Sequence, residues 1–191
     1  MGDQELKPSE SGGEQGQKPA GKVNGKPQPR EYHIRIARDG TWFHQGRPMR
    51  RMKLVKLFST VLKRLEDGQY WLETPAERGV VEVEDAPFLA VEVSVTGSGA
   101  DQELTFRTNL DQEVTAGTDY PITVAASPVT GEPTPYIAMD RGLSALINRA
   151  VYYQLAEIGE MREVDGKTLL GVMSSGEFYA LGEVDALAGE G

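Results

Sequence analysis

Between residues 32 and 45 apolar and polar positions alternate, YHIRIA and then TWFHQ, with Asp39-Gly40 between them. A period of two interrupted by an Asp-Gly pair predicts a β-hairpin. From Met52 the period lengthens: Met52, Leu54, Val55, Leu57, Phe58, Val61, Leu62 and Leu65 recur as a helix requires, and Pro48 suits a helix entry because its missing N–H is no loss there. The spacing puts Leu54, Phe58, Val61, Leu62 and Leu65 on one face and Lys53, Lys56, Lys63 and Arg64 on the other. Period two then returns in QYWLET, RGVVEVED, FLAVEVSV, ELTFRT, QEVTA and PITVAA, each bounded by turn residues, while PVTGEPTP reads as a loop. A second helix is expected over GLSALINRAVYYQLAEI, residues 142–158, and its scarcity of charge predicts packing on more than one side.

After each helix comes an Asp-Gly pair, Asp67-Gly68 or Asp165-Gly166, then a strand, a turn and a strand; KTLLGVMS and GEFYAL, joined at Ser175-Gly176, are the second copy. This order, repeated about 100 residues apart, predicts an α+β fold of two repeated units, each an antiparallel sheet with one main helix. The expected units are residues 30–87 and 88–191, with the boundary between 80 and 100. Residues 1–29 contain Leu6 and Val23 as their only sizeable apolar side chains besides Met1, too little to offset the entropy of ordering, so a disordered tail is expected.

Charge sharpens this division. The chain has a net charge of −9, yet residues 1–64 carry 14 Lys or Arg against 6 Asp or Glu, and the remainder carries 6 against 23. An acidic remainder of that size argues against a long polyanion such as nucleic acid as partner, while a small anion meets less repulsion. The absence of cysteine excludes disulfides and thiolate chemistry, and no apolar run approaches the roughly 20 residues that span a bilayer. The expectation is a cytoplasmic protein with no membrane span.

Motifs for catalysis do not assemble. Gly166-Lys167-Thr168 lacks the glycine that a phosphate-cradling loop needs, Met161 standing there, and GSGADQ lacks the third glycine and the helix of a dinucleotide fingerprint. His33 and His44 fall on one predicted hairpin and leave an opening for a metal pair or a base. Ser174 and Ser175 read as a turn, and Glu84 and Asp85, adjacent on a strand, point to opposite faces. What stands out is polar groups in apolar context: Arg51, Thr74 to Glu77, Arg141, Asn148 and Arg149. Each has two readings, a structural partner within the fold or a ligand.

At these residues the chain resembles a bacterial family, domain of unknown function 1285, from about Tyr32 to Gly182. The likeness is carried by Gly46, Pro48, Arg51, LVKLFSTVL, DGQYWLETPAE and VEVEDAPFLAV in the first unit, and by Asn109, PYIAM, RGLSALINRAVYYQL and LGVMSSGEF in the second. Two positions depart from the family's pattern: Met173, where Trp is usual, and Tyr120, where His is usual. The resemblance implies a duplicated α+β core whose C-terminal unit is superficially like pleckstrin-homology folds, a site between the units for a small, nucleotide-like ligand, and a role in signalling.

Together these readings predict a non-enzymatic regulatory protein that binds a small anionic, nucleotide-like ligand at the interface, without metal or redox cofactor. Arg51, Arg141 and Arg149 would pair with its charge, Thr74, Glu77, Asn109 and Asn148 would read its polar groups, and Trp42 or Tyr153 would stack on it. The rival expectation is a protein-interaction adaptor that uses Lys53, Lys56, Lys63 and Arg64 to dock an acidic partner.

Overall fold

A computed structural model describes residues 29–184 of the 191-residue chain, so the expected N-terminal tail, residues 1–29, lies outside the described residues except for Pro29, which opens the first strand and pairs with Arg78. Fifteen strands and two helices fall there into five three-stranded meanders. The first is β1 (Pro29–Ile36), β2 (Trp42–His44) and β3 (Arg47–Pro48); the second, after helix α1 (Met52–Val61), is β4 (Leu62–Arg64), β5 (Tyr70–Glu73) and β6 (Arg78–Val83). The third is β7 (Phe88–Thr96), β8 (Glu103–Thr108) and β9 (Glu113–Thr115), and the fourth is β10 (Ile122–Ala126), β11 (Pro133–Ala138) and β12 (Ser144–Ile147). Helix α2 (Arg149–Ile158) then leads into the fifth, β13 (Glu160–Val164), β14 (Lys167–Ser174) and β15 (Glu177–Glu183).

The duplication appears in the strand order. The first sheet runs β3-β2-β1-β6-β5-β4 and the second runs β9-β8-β7-β12-β11-β10, two meanders joined through their first and last strands in both cases. That join is parallel, β1 with β6 and β7 with β12, so neither sheet is purely antiparallel. In each sheet the first strand of one meander lies beside the last strand of the next in the same direction. Helix α2 packs on β7 and β14 and closes the C-terminal unit.

Three elements differ from the sequence expectation. Helix α1 begins at Met52, with Pro48 in β3 opposite Phe43, and ends at Val61. The apolar period runs on through Leu62 and Leu65, but Ser59 and Thr60 turn their hydroxyls back onto the carbonyls of Lys56 and Leu57, and Leu62–Arg64 instead pair with β5. The face that α1 buries centres on Val55 and Ser59, leaving Leu57 60 % and Leu54 36 % exposed. Burying a side chain such as Val55 contributes about 1.5 to 3 kcal/mol.

The apolar run before α2 is likewise divided. Ser144–Ile147 form β12 with Ala145 and Ile147 inward, and Asn148 starts the helix by accepting a hydrogen bond from the Val151 N–H at 2.8 Å. An N-cap in mid-run separates a buried strand from an amphipathic helix, which is why the run holds so little charge. The expected loop at PVTGEPTP is also shorter, since Pro133–Ala138 form β11; its prolines pair with β10 and precede Tyr136, where pairing with β12 begins.

One core cluster runs through both units, from Ile36, Trp42, Val55 and Leu62 to Phe88, Phe106, Ile137 and Leu155. Ala86 and Phe88, which flank the passage from one unit to the other, are buried as well. Flexible domain linkers are exposed and polar, so this buried passage joins the units into a single body.

Candidate functional site

The seam between the units is built from α1 and β4 on one side and two turns on the other. Residues 140–142 form one of these turns, with Arg141 at φ +61° and Gly142 at φ +71°. A left-handed arginine is uncommon and costs roughly 1 kcal/mol or more. Its backbone aims the guanidinium at the C-terminal end of α1, where it donates to the Ser59 carbonyl at 3.1 Å and to the Thr60 carbonyl. The Ser59 carbonyl also accepts from the Leu62 N–H, and both carbonyls lie at the negative dipole end of the helix, which a cation from the other unit complements. The turn itself packs closely, for a Cβ at Gly142 would lie 3.2 Å from the Arg64 carbonyl oxygen.

The second turn, after β8, supplies Asp111 and Gln112. Lys56 of α1 pairs with Asp111 and holds its carboxyl below the usual range, and the Gln112 amide donates to the Ser59 hydroxyl at 3.5 Å. At the other end of the seam Asp85, its side chain fully buried, accepts from the Ser127 hydroxyl at 2.7 Å and the Tyr136 hydroxyl at 2.6 Å, and Arg38 lies 3.2 Å away. Burial, reinforced by the hydrogen bond to Asp85, pushes the Tyr136 phenol up to about 12.

Beside the Arg141 turn opens a cleft of about 460 Å³, lined by Phe88, Val114, Met139 and Leu143 as apolar floor and by Gln112, Glu113, Thr115, Tyr120, Asp140 and Arg141 as polar rim. Tyr120 donates to Asp140 at 2.6 Å, which raises its phenol above the ordinary value. The volume is that of a small-molecule site, and the mixture of apolar floor and a few convergent polar groups is what such sites use. A smaller hollow of about 420 Å³ lies next to it, bounded by Arg64, Leu65, Glu66, Gly68 and Gly142.

The residues singled out from sequence do not meet at this cleft, Arg141 excepted. Arg51 is the exposed N-cap residue of α1, at the end of the helix opposite Arg141, and ten residues of helix separate the two by roughly 15 Å. Arg149 starts α2 and donates to the exposed Tyr153 hydroxyl at 2.8 Å. Asn148 is consumed as N-cap, and Asn109 accepts from the Leu89 N–H at 3.0 Å while its amide packs against Gly40. Thr74 and Glu77 close the β5–β6 turn on each other, and the Glu77 carboxylate pairs with Arg30 at 2.6 Å. Trp42 is 2 % exposed and lies in the core, out of reach of a stacking ligand.

The predicted basic face is also largely committed within the fold. Lys56 pairs with Asp111, Lys63 with Glu73, and Arg64 donates to the Gly68 carbonyl and lies over the Tyr70 ring. Only Lys53 of the four stands free of such a partner among the described residues. His33 and His44 are exposed, His33 lies 3.8 Å from Glu31, and no group of three or more His, Asp or Glu among the described residues could hold a metal ion. Ser174 bridges the Leu104 N–H and the Ala116 carbonyl, fully buried, as a tie between β14 and the β8–β9 region.

Sequence reasoning missed Glu113, Tyr120 and Asp140. Nothing in spacing distinguishes them, because the cleft gathers a strand, a turn and a loop from one sheet; the one signal was Tyr120, where the chain departs from the pattern of the family it resembles. Met173, the other departure, lies elsewhere, its carbonyl accepting from the Gln102 amide at 2.8 Å. The lining also disagrees with an anionic occupant, since Glu113 and Asp140 oppose a single cation, Arg141, that already serves two carbonyls.

No helix among the described residues is long and apolar enough to cross a membrane. A family model described as the N-terminal domain of a domain of unknown function, DUF1285, matches residues 25–86, and one described as the C-terminal domain of DUF1285 proteins matches residues 87–181. The crystal structure of a DUF1285 family protein from Silicibacter pomeroyi DSS-3 is 44% identical, with a TM-score of 0.75 over 85% of this chain and 87% of that one. Another, from Shewanella baltica OS155, is 26% identical, with a TM-score of 0.52 over 65% of this chain and 90% of that one. No curated protein matches the chain.

Proposed function

Because the chain belongs to the DUF1285 family, shares its two-part organisation and has in its second unit a cleft beside the turn that reaches the first, we propose that it is a regulatory binding module for a small polar ligand. The observation that carries this reading is the cleft itself: an apolar floor and a rim bearing two carboxylates, set against a turn whose arginine holds the neighbouring unit. The lining favours an uncharged or cationic molecule rich in hydroxyl or amine donors, which Glu113, Asp140 and Thr115 accept. A phosphate would gain its cation only by drawing Arg141 away from α1. An occupant that competes for Arg141 or for the Tyr120–Asp140 hydrogen bond would change the hold of one unit on the other, which is how a binding event here becomes a signal.

Thermal-shift measurements against a panel of polyamines, sugars, nucleosides and nucleotides test this reading, since a ligand of the folded form raises the melting temperature. A rise with donor-rich compounds, lost in the Glu113→Gln/Asp140→Asn double variant, is expected. No shift across the panel, or a shift that the double variant retains in full, would overturn it.

A further inference from the structure

The described residues contain 16 Lys or Arg side chains, and twelve are engaged within the fold. Arg30, Arg35, Arg38, Lys56, Lys63, Arg107, Arg162 and Lys167 pair with carboxylates; Arg64 and Arg141 donate to carbonyls; Arg78 lies over Trp71 and Arg149 over Tyr153. The four without such a partner among the described residues are Arg47, Arg50, Arg51 and Lys53, all exposed and all within seven consecutive positions. No carboxylate occurs from residue 47 to residue 65 to neutralise them locally. The same segment exposes apolar surface: Met52 is 51 %, Leu54 36 % and Leu57 60 % exposed. On α1, Lys53 and Leu57 are four residues apart and Leu54 and Leu57 three, so they form one continuous face.

We infer that the outward face of α1, with the arginines leading into it, is a docking surface for an acidic, amphipathic segment of a partner protein. Charge complementarity decides the occupant. In a chain of net charge −9, the other cations among the described residues are spent on the chain's own partners, and these four, within seven positions, are not. Carboxylates of the partner pair with Arg47, Arg50, Arg51 and Lys53 while its apolar side chains cover Met52, Leu54 and Leu57, as an amphipathic helix covers a groove. An anionic bilayer would take the same patch but repel the strongly acidic remainder of the chain, and nucleic acid would leave the three apolar side chains uncovered. This surface lies on α1, apart from the lining of the cleft, and stands independently of a ligand there.

The test is peptide-display panning against the full chain, followed by fluorescence anisotropy with the recovered peptides. Recovered sequences are expected to combine several Asp or Glu with spaced Leu or Phe and to bind more weakly as salt rises. Affinity should fall at least tenfold in Arg50→Glu/Lys53→Glu and severalfold in Leu57→Ser, with an unchanged far-ultraviolet spectrum because these side chains hold nothing in the fold. Arg162→Glu, remote from α1, should bind as the unaltered chain does. An empty pool, a pool without acidic bias, or affinity that survives the charge reversal would overturn the inference. So would cosedimentation with phosphatidylserine vesicles in place of peptide binding, or a concentration-dependent dimer abolished by Lys53→Glu.

Discussion

Replacing Asp85 by alanine tests whether the two units are one cooperative body. Its carboxylate has no exposed surface and takes hydrogen bonds from Ser127 at 2.7 Å and Tyr136 at 2.6 Å, both in the second unit, while Arg38 of the first lies 3.2 Å away. Alanine removes two charge-assisted bonds and leaves two hydroxyls in a partly buried seam, each costing about 1 to 3 kcal/mol when unsatisfied. Arg38 is 37 % exposed and can rehydrate, which lowers the total. The expected loss is therefore about 3 kcal/mol, near the lower end for breaking a buried charged pair. In a chain of this size that lowers Tm by roughly 6 to 12 °C.

The assay is urea unfolding followed by two probes. Both tryptophans, Trp42 and Trp71, lie in the first unit, so their fluorescence reports that unit, whereas circular dichroism reports the whole chain. In the unaltered protein the two transitions should coincide. In Asp85→Ala they should both move to lower urea, and separate if the seam yields before either sheet. Asp85→Asn, which keeps one acceptor and the shape, should lose about half as much. A loss below about 1 kcal/mol in Asp85→Ala would show that the carboxylate is not a tie between the units and refute the reasoning.

Three further outcomes follow from single contacts. Arg141→Asn tolerates the left-handed backbone but releases the Ser59 and Thr60 carbonyls, so chemical denaturation should show a loss of about 1 to 2 kcal/mol, and Arg141→Gly should lose less because it also relieves the backbone. Asn148→Ala should cost about 1 kcal/mol by removing the cap of α2, read as a lower Tm with unchanged fluorescence of the folded state. Tyr136 is neutral in the fold and its pKa is raised, so its contribution is complete below pH 10 and disappears as pH rises toward about 12. Tm should fall as pH rises from about 10 to 12 in the unaltered chain and fall less in Tyr136→Phe.

The hairpins and turns were legible because their signals are local. Asp39-Gly40 and Ser175-Gly176 stand between alternating runs, and a turn is decided by a few residues whose backbone preferences act without help from elsewhere, whereas β13, which precedes Asp165-Gly166, was not expected. A two-unit repeat was legible as well, but its frame was not: α1 lies between the meanders of the first sheet, whereas α2 follows the second sheet and leads into a third. The helix ends were not. Periodicity continues past Val61 because Leu62 is apolar and buried in both a helix and a strand; pairing with Leu72 of β5 chooses between them.

The site residues show the same limit from the other side. Sequence reading selects polar side chains in apolar surroundings, and Asn109, Asn148, Thr74 and Glu77 are conspicuous in that way because they serve the backbone: a cap, a strand-end anchor and a turn. The cleft instead recruits Glu113, Tyr120 and Asp140, ordinary surface residues made neighbours by the fold.

The sequence by itself determined an α+β chain of two units, most of its turns and an uncompensated run of cations, because composition, period and turn chemistry are properties of neighbouring residues. Only the tertiary structure decided which cations remain free, where α1 stops and what lines the cleft. Those outcomes depend on groups far apart in sequence competing for the same carbonyl, carboxylate or strand edge, and that competition is resolved by packing alone.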